Sequence, residues 1–334
     1  MTEVIPGIYQ LKLPLPDPSP GHINAYLVKG DNGCLLIDTG WNTEETFESL
    51  KKQLDEIDID TKSISQIVIT HIHPDHYGLA GRLRRLSKAK IALYYLEKAL
   101  IDSRYKHMEN LLSHVARWLH TSGVPASRLP ELQMASVGVA KFVTPVTPDV
   151  TLYDGDIIST GLFSFEVLWT PGHSPGHICL YEPSQKILVS GDHILPTITP
   201  NVGVHPESSI NPLGDYINSI NRIKQFDVEL ILPGHENTFS GLKTRIEELI
   251  QHHHDRNSNI LKAIKSELKT PYQIATKIPW MSDTYGIGWQ NMTPVNKRLA
   301  ILETMAHLES MRADGYVSKL NRDGVSYYQP VTPN

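Results

Sequence analysis

Short apolar runs separated by turns dominate the first part of the chain and predict a sheet-rich domain. Residues 25–28 and 34–37 are two such runs on either side of Asn32-Gly33, a step typical of β-hairpin turns. Further apolar runs end near residues 69, 169, 189 and 232. Helical patterns cover residues 43–55 and 78–87. Strands interleaved with helices predict a fold of the α/β (α+β) class.

A mostly helical insertion interrupts this pattern at residues 95–140. Its partial helical periodicity rests on the apolar positions Leu96, Leu100, Leu111, Leu112, Val115, Trp118 and Leu119. The insertion is either extra scaffold on the outer face or a lid that covers a pocket and offers apolar and aromatic contacts to it. A second irregular segment, residues 194–216, could line a pocket through Thr199, Asn201 or His205.

After Gly241 the strand pattern gives way to helical periodicity. Three predicted helices precede a predicted β-hairpin, and these elements cover residues 242–268, 271–277, 294–313 and 316–330. We therefore predict two domains, a larger one at residues 1–245 and a smaller one at residues 246–334.

Composition and charge favour a globular protein in a reducing compartment. The 334 residues are 40% hydrophobic, and the net charge of −5 argues against whole-protein affinity for nucleic acid, although a local basic patch would be compatible with it. No apolar stretch approaches the ~20 residues that a membrane-spanning helix needs, and the first residues lack the pattern of a secretion signal. Cys34 and Cys179 occupy apolar strand-like settings, which favours two buried thiols over a disulfide. We predict a cytoplasmic protein with no membrane partner.

Residues 70–78, Thr-His-Ile-His-Pro-Asp-His-Tyr-Gly, concentrate side chains that bind metals. His71, His73, Asp75 and His76 directly follow an apolar run. A chain that leaves a buried strand enters a loop, where side chains can converge on one point. Neutral imidazole suits zinc and other first-row metals, and a carboxylate offsets the charge of a divalent cation. The alternative interpretation is a solvated polar turn that holds three histidines by chance.

Three later strand-like runs also end in turns that carry histidine or aspartate. His173 and His177 lie in a Gly/Pro turn, Asp192 and His193 follow a second run, and His235 follows a third. Four strand ends of this kind are what a dinuclear metal site at one edge of a sheet layer requires. Together they favour the metal site over the polar turn.

With these motifs the chain resembles the metallo-β-lactamase superfamily over about residues 1–245, including the early segment Leu36-Ile37-Asp38-Thr39-Gly40. The resemblance implies an αββα sandwich, in which two mixed β-sheets pack face to face and are flanked by helices. The helices and hairpin of residues 246–334 resemble the small winged-helix appendage of some glyoxalase II-like members.

The family pattern implies seven ligands for two divalent metals. The first metal would be held by His71, His73 and His173, and the second by Asp75, His76 and His235, with Asp192 bridging both. Asp75 and Asp192 would also orient the nucleophile, and Asp38 would orient a ligand imidazole. His177 is expected to be structural or to support a ligand, and His193 to be a pocket residue. Zinc is the expected metal, while iron or manganese would fit the same nitrogen and oxygen ligands.

Two positions distinguish branches within the superfamily. Asp192 stands where zinc β-lactamases place Cys, and His73 stands where flavodiiron reductases place Glu. The ligand set resembles the glyoxalase II, lactonase and nuclease branches, which implies a hydrolase of small thioesters or esters that uses a metal-bridging hydroxide. An endoribonuclease or a lactonase on the same metal site is the alternative. A non-enzymatic metal-binding regulator is a third hypothesis, which the full ligand set disfavours.

The C-terminal region carries two further features that bear on partners. Its long helix mixes acidic and basic residues evenly, so a structural or homodimer-forming role is expected instead of contact with nucleic-acid phosphates. His252, His253 and His254 are consecutive on a predicted helix, where neighbours lie ~100° apart and do not share a face. We expect them to be surface or domain-contact residues.

Overall fold

The computed structural model describes residues 1–16, 21–135, 137–205, 208–265, 267–280 and 288–331. The chain forms two compact units. The first unit contains Met1–Lys106, Val139–Pro200 and Ser219–Ile246, and the second contains His107–Gly138, Asn201–Asn218 and Glu247–Asn334. No helix in the described ranges combines the length and the apolar character needed to cross a membrane.

The larger sheet of the first unit has, within the described residues, seven strands that neighbour one another in chain order. The strands are β1 (Thr2–Ile5), β2 (Ile8–Pro14), β3 (His22–Val28), β4 (Cys34–Ile37), β5 (Ile64–Ile69), β6 (Lys90–Tyr94) and β7 (Val150–Leu152). Pairing is antiparallel from β1 to β4 and parallel from β4 to β7, so the sheet is mixed. The predicted hairpin through Asn32-Gly33 is confirmed, and Gly33 takes a φ of 110° that suits glycine.

The smaller sheet of this unit has five strands in the described part of the chain, in the order β12-β11-β10-β9-β8. They are β8 (Ile157–Ser159), β9 (Ser164–Trp169), β10 (Ile178–Glu182), β11 (Ile187–Gly191) and β12 (Leu230–Pro233). β11 and β12 are parallel, and the other neighbours are antiparallel. Two mixed sheets with helices confirm the predicted fold class.

Both faces of the larger sheet are buried. Successive strand residues point to opposite sides of the sheet, so neighbouring residues of one strand belong to different apolar clusters. Leu36 of β4 belongs to an apolar cluster that includes Leu50 of helix α1 (Glu44–Asp55). Its neighbour Leu35 belongs to a second cluster that includes Val167 of β9. One cluster therefore lies between the sheet and its helices, and the other lies between the two sheets.

The helices of the first unit follow the predicted pattern closely. They are α1, α2 (Pro74–Tyr77), α3 (Ala80–Ser87) and α4 (Tyr95–Ile101). α1 begins after Thr43, whose hydroxyl accepts a hydrogen bond from the Thr46 N–H, so Thr43 is the N-cap. A π-helical turn, Asp102–Lys106, continues from α4.

The second unit combines helices with one hairpin. Its helices are α5 (Met108–Thr121), α6 (Leu129–Met134), α9 (Pro271–Ala275) and α10 (Pro294–Ala313), and its strands are β13 (Val317–Arg322) and β14 (Val325–Pro330). Helices α7 (Pro212–Ile223) and α8 (Leu242–Ile264) contain positions where the chain passes from one unit to the other. Leu119, Ile260, Leu308 and Tyr328 share one buried core.

The grouping of the chain differs in detail from the predicted division at residue 245. The helical insertion is divided, since Lys106 is the last residue before the chain enters the second unit and residues 107–138 belong there. Residues 201–218 also belong to the second unit. The assignment of catalytic and winged-helix-like roles to residues 1–245 and 246–334 stays a prediction.

Candidate metal centre

Strand β5 ends at Ile69 and delivers the first cluster of polar ligands to one edge of the larger sheet. His71 is fully buried directly after the strand. His73 is the N-cap of α2, and Pro74 occupies the first helical position, where a missing N–H is harmless. Asp75 and His76 therefore lie in the first turn of a short helix, and their side chains turn back toward the strand end.

Three histidines converge from two strand ends. His71 follows β5, and His173 lies in the turn after β9. His73 Nδ1 lies 2.9 Å from His71 Nε2 and 3.0 Å from His173 Nε2. One nitrogen of each ring thus faces the same point, and the three atoms lie within 4.8 Å of one another.

A second group of four side chains adds carboxylates. It consists of Asp75, His76, Asp192 and His235, with ligand atoms again within 4.8 Å of one another. His76 Nε2 lies 3.3 Å from Asp192 Oδ1, and His235 Nε2 lies 3.3 Å from Asp75 Oδ2. The structure therefore brings together all seven of the residues that were predicted from the sequence as ligands.

Asp192 lies between the two groups. Its Oδ2 is 3.4 Å from His235 Nε2 and 3.7 Å from His173 Nε2, so one carboxylate oxygen faces a histidine of each group. Asp192 follows β11, the neighbour of β12, whose end carries His235. This position is the one that a bridging ligand would need.

The chemistry of this donor set fits divalent metals. His76 Nε2 and Asp192 Oδ1 are fully buried and lie 3.3 Å apart, and neither has any other hydrogen-bond partner within the described ranges. Buried polar atoms normally find partners, so orphaned atoms that face one another need an explanation. Imidazole nitrogen and carboxylate oxygen are common ligands of zinc and other first-row metals. A cation between them would satisfy both atoms.

The titratable groups of this centre strongly shift one another's pKa values. Burial alone would lower the pKa of His76, but the carboxylates of Asp192 and Asp38 raise it well above its usual value. Burial alone would also lower the pKa of His235, but Asp192 raises this pKa to about 10. Burial favours a protonated Asp192, yet His235 and His76 hold its pKa well below the usual range. Protonated imidazoles thus supply the positive charge that these carboxylates require.

Polar groups behind the ligands fix the orientation of their rings. Asp38 Oδ2 accepts a hydrogen bond of 2.7 Å from His76 Nδ1, and Asp38 Oδ1 accepts one of 2.8 Å from the Thr70 N–H. The His22 carbonyl accepts a 3.0 Å bond from His235 Nδ1, and Thr70 Oγ1 lies 3.1 Å from His71 Nδ1. The Nε2 atoms of His76, His235 and His71 consequently face the centre.

Asp38 occupies the position that the prediction gave it, whereas Thr70 and His22 were not predicted to support the ligands. Asp38 has a φ of 59°, in the left-handed region that aspartate tolerates better than most residues. Thr70 lies between the end of β5 and His71, so its position in the sequence was a local signal of contact with that ring. His22 acts through its backbone carbonyl, for which residue type offers no signal.

His177 and His193 are both buried behind the centre. His177 Nε2 accepts a 3.2 Å bond from the Asp192 N–H, and its Nδ1 lies 2.8 Å from Thr170 Oγ1. Burial holds the pKa of His177 well below its usual value, so the ring is neutral and can accept this bond. His193 Nε2 lies 3.0 Å from Ser219 Oγ. His193 is fully buried in the interior and does not line an open surface.

Gly234 allows β12 to approach the centre closely. A Cβ atom at this position would lie 2.8 Å from His76 Cε1 and closer still to Asp192 Oδ1. Real Cβ atoms are essentially never found at such distances. The Pro-Gly-His sequence at the end of β12 therefore reflects the space that the ligands occupy.

The remaining candidate residues lie elsewhere. His253 is buried in the second unit, where its Nδ1 is 3.3 Å from His307 Nε2, and neither metal-ligand group includes it. Thr199 belongs to the first unit, while Asn201 belongs to the second and donates a 2.7 Å hydrogen bond to Glu303. His205 is half-buried in the second unit. A pocket role for Thr199, Asn201 and His205 stays a prediction.

Comparison with known proteins places this geometry in context. A family model described as the metallo-beta-lactamase superfamily matches residues 18–235. The probable metallo-hydrolase YqjP of Bacillus subtilis (strain 168) is 23% identical over 328 residues, which cover 97% of this chain and 98% of that protein. The Homo sapiens protein named acyl-coenzyme A thioesterase MBLAC2 is 30% identical over 230 residues, which cover 66% of this chain and 75% of that protein.

A solved structure supports the same relationship. The metallo-beta-lactamase family protein TTHA1429 from Thermus thermophilus aligns with a TM-score of 0.83 at 27% identity. The alignment covers 98% of this chain and 100% of that chain, so the likeness includes the C-terminal helices and hairpin as well as the two sheets.

Proposed function

The chain belongs to the metallo-beta-lactamase superfamily and is a hydrolase, and from this premise we propose that it cleaves thioesters or esters of small acyl compounds. The proposal includes two divalent metals, with zinc as the expected ion, and chemistry like that of glyoxalase II. The protein named acyl-coenzyme A thioesterase MBLAC2, with its 30% identity, supports a thioester as the substrate class.

The observation that carries the proposal is the convergence of two ligand groups on Asp192. His71, His73 and His173 would hold one metal, and Asp75, His76 and His235 would hold the other, with Asp192 shared. A carboxylate oxygen within 3.7 Å of His173 Nε2 and 3.4 Å of His235 Nε2 suits such sharing. Two metals near one carbonyl group are an arrangement that favours hydrolysis.

The residues of the centre have separate tasks in this reaction. Divalent metals at such a site polarise a carbonyl oxygen and lower the pKa of bound water to about 7. Asp75 and Asp192 offer the carboxylate oxygens that would accept hydrogen bonds from the attacking water and orient it toward the carbonyl carbon. Asp38 and the His22 carbonyl would keep the rings of His76 and His235 fixed while charge develops.

A covalent acyl-enzyme is not part of the proposal. Burial raises the pKa of the Cys179 thiol to about 12, so it is not a thiolate near neutral pH. The hydroxyl of Ser174, next to His173, donates a hydrogen bond to Glu97 Oε1. Neither Cys179 nor Ser174 is therefore the expected nucleophile, and direct attack by water is the expected route.

A hydrolysis panel with zinc-loaded protein tests the proposal. It would contain an acyl-coenzyme A, S-lactoylglutathione, a homoserine lactone and a short single-stranded RNA. We expect turnover of at least one thioester, measured by thiol release, and loss of that turnover after chelation. Cleavage of RNA alone would move the function to a nuclease, and cleavage of the lactone alone to a lactonase. No turnover of any thioester or ester would contradict the proposal.

A further inference from the structure

Glu97 is a fully buried acidic residue outside the two groups of metal ligands. It lies in α4, at the start of the segment that was predicted as an insertion. We propose that Glu97, together with Tyr105, is a positioning residue that holds the loops of His71, His73 and His173 in the geometry that a metal requires. The inference rests on the proposed metal-dependent function.

The carboxyl group of Glu97 binds both histidine-bearing loops at once. Its Oε2 accepts a 2.8 Å hydrogen bond from the N–H of Ile72, the residue between His71 and His73. Its Oε1 accepts a 2.8 Å bond from the Gly176 N–H and another from the hydroxyl of Ser174, which follows His173. One side chain therefore links the ends of β5 and β9.

Tyr105 binds the same loop through the other backbone polar group of Ile72. Its hydroxyl donates a hydrogen bond to the carbonyl of Ile72. The N–H and the C=O of Ile72 are thus both bound by side chains of residues 95–106. A loop residue fixed at both backbone groups has little freedom to rotate, so the two flanking imidazoles are fixed with it.

Helix α4 packs closely against Gly176 in the loop that carries His173, which leaves no space for a side chain at that position. A Cβ atom at Gly176 would lie 2.6 Å from the Glu97 nitrogen and 2.9 Å from the Leu96 Cβ. Glycine at this position lets the turn after β9 contact the backbone of α4 directly. The short distance places the Gly176 N–H within hydrogen-bond reach of the Glu97 carboxyl group.

These contacts are selective for one of the two ligand groups. Glu97 touches residues next to His71, His73 and His173, whereas the partners of His76 and His235 are Asp38 and the His22 carbonyl. Loss of the Glu97 contacts should therefore weaken one metal more than the other. The proposed role of residues 95–106 is to anchor these loops and not to act as a lid. A lid would have to move away from the loops, which would break these hydrogen bonds.

Zinc binding by the 334-residue chain tests this inference without relying on activity. The variants are Glu97→Gln, in which the carboxyl becomes an amide of the same shape, and Tyr105→Phe. Their matched controls are Asp102→Asn, whose carboxylate pairs with Lys106 at the surface, and Tyr95→Phe, whose ring is 41% exposed. Chelator competition would give the affinity for each zinc, and cobalt substitution would report ligand geometry by its visible spectrum.

We expect Glu97→Gln to lower the affinity for one of the two zinc ions by roughly 10–100-fold, the usual effect of removing a group that supports a ligand. Tyr105→Phe should weaken the same ion by a smaller factor, and both controls should match the wild type. Amide hydrogen exchange at Ile72 should be faster in both variants, even without metal. If Glu97→Gln does not fold, Tyr105→Phe and Ser174→Ala decide by the same measurements.

The outcomes separate the inference from the proposed function. Wild-type affinity for both zinc ions in Glu97→Gln, with an unchanged cobalt spectrum, would overturn the positioning role and leave the metal-dependent function intact. Equal weakening of both ions would also overturn it, since the contacts reach only one group. A wild-type protein that binds no zinc would instead overturn the proposed function on which the inference rests.

Discussion

Residues 71–76 and residues 252–254 each contain three histidines, yet the side chains of the first segment converge and those of the second diverge. The first segment leaves strand β5, enters a loop and begins a short helix, so its three rings reach the two neighbouring ligand groups. The second lies inside helix α8, where His253 is buried, His252 is half-buried and His254 is exposed. The difference shows that local backbone geometry decides whether clustered histidines can form a site.

The two segments also differ in their electrostatic surroundings. Asp192 and Asp38 raise the pKa of His76 well above its usual value despite burial. Burial and the positive charges of its neighbours lower the pKa of His253 to about 3, because no carboxylate outweighs them. Histidines beside carboxylates can exchange protons for a metal, whereas a buried neutral pair, such as His253 with His307, serves packing.

The largest expected effect comes from removing the shared ligand. Asp192→Ala should lower kcat/KM for the thioester by more than about 10³-fold, because both metal sites lose a ligand. His254→Ala, on the exposed face of α8, should leave activity within about twofold. Steady-state kinetics with equal protein and zinc concentrations would make the comparison. Full activity in Asp192→Ala would remove the distinction between the two histidine segments.

A smaller but still large effect should follow from adding one carbon atom at the centre. In Gly234→Ala the new Cβ would press on Asp192 Oδ1 and on His76 Cε1, so zinc affinity should fall by roughly 10–100-fold. Gly138→Ala is the matched control, since nothing lies within 4 Å of a Cβ there. Isothermal titration with zinc would measure both. Unchanged affinity in Gly234→Ala would mean that the ligands are less closely packed than described.

The pH dependence of stability should have opposite signs for the buried His253 and for His235 of the candidate metal centre. The folded-state pKa of His253 is lowered from 6.5 to about 3, so its contribution is complete above 6.5 and is lost as the pH falls toward 3. Near pH 5 the loss is about 2 kcal/mol. In the metal-free protein, the contribution of His235 is complete below 6.5 and is lost as the pH rises toward about 10.

Urea unfolding of the metal-free protein would measure this effect. His253→Leu should reduce the loss of unfolding free energy between pH 6.5 and about pH 5, relative to the wild type. His254→Leu is the control, because that side chain is exposed. An acid loss in His253→Leu as large as that of the wild type would show that the buried pair does not govern this transition.

The sequence predicted the strand ends that carry the candidate ligands, because each apolar run ended where a strand ends. The observed strands β5, β9, β11 and β12 stop at Ile69, Trp169, Gly191 and Pro233, directly before the loops that carry the ligands. Short apolar runs and turn residues are local properties, so they can be read from a single chain. The same reasoning predicted a helix over residues 43–55, and the structure has α1 at Glu44–Asp55.

Glu97 was missed although a signal was present. Glu97, Leu100 and Ile101 are the buried positions of α4, at the spacing that places residues on one helix face. A charged residue within an apolar stripe is unusual, and it would have pointed to a buried hydrogen-bonding role. The His22 contact could not be predicted, since it depends on a backbone carbonyl brought near by pairing of distant segments.

The extent of the second unit was equally beyond sequence reasoning. Residues 107–138 and 201–218 belong with the C-terminal region, although more than a hundred residues separate the first of them from it. Long-range packing of this kind leaves no periodic trace in the sequence. The cytoplasmic location, a homodimer and the winged-helix-like interpretation therefore stay predictions.

The metal content of the purified protein tests the central claim most directly. Elemental analysis after zinc loading and removal of excess metal should find about two ions per chain in the wild type. The same measurement on Asp192→Ala should find at most about one, because Asp192 lies between the two ligand groups. A wild-type protein without bound metal, or an Asp192→Ala variant that retains two ions, would contradict the account.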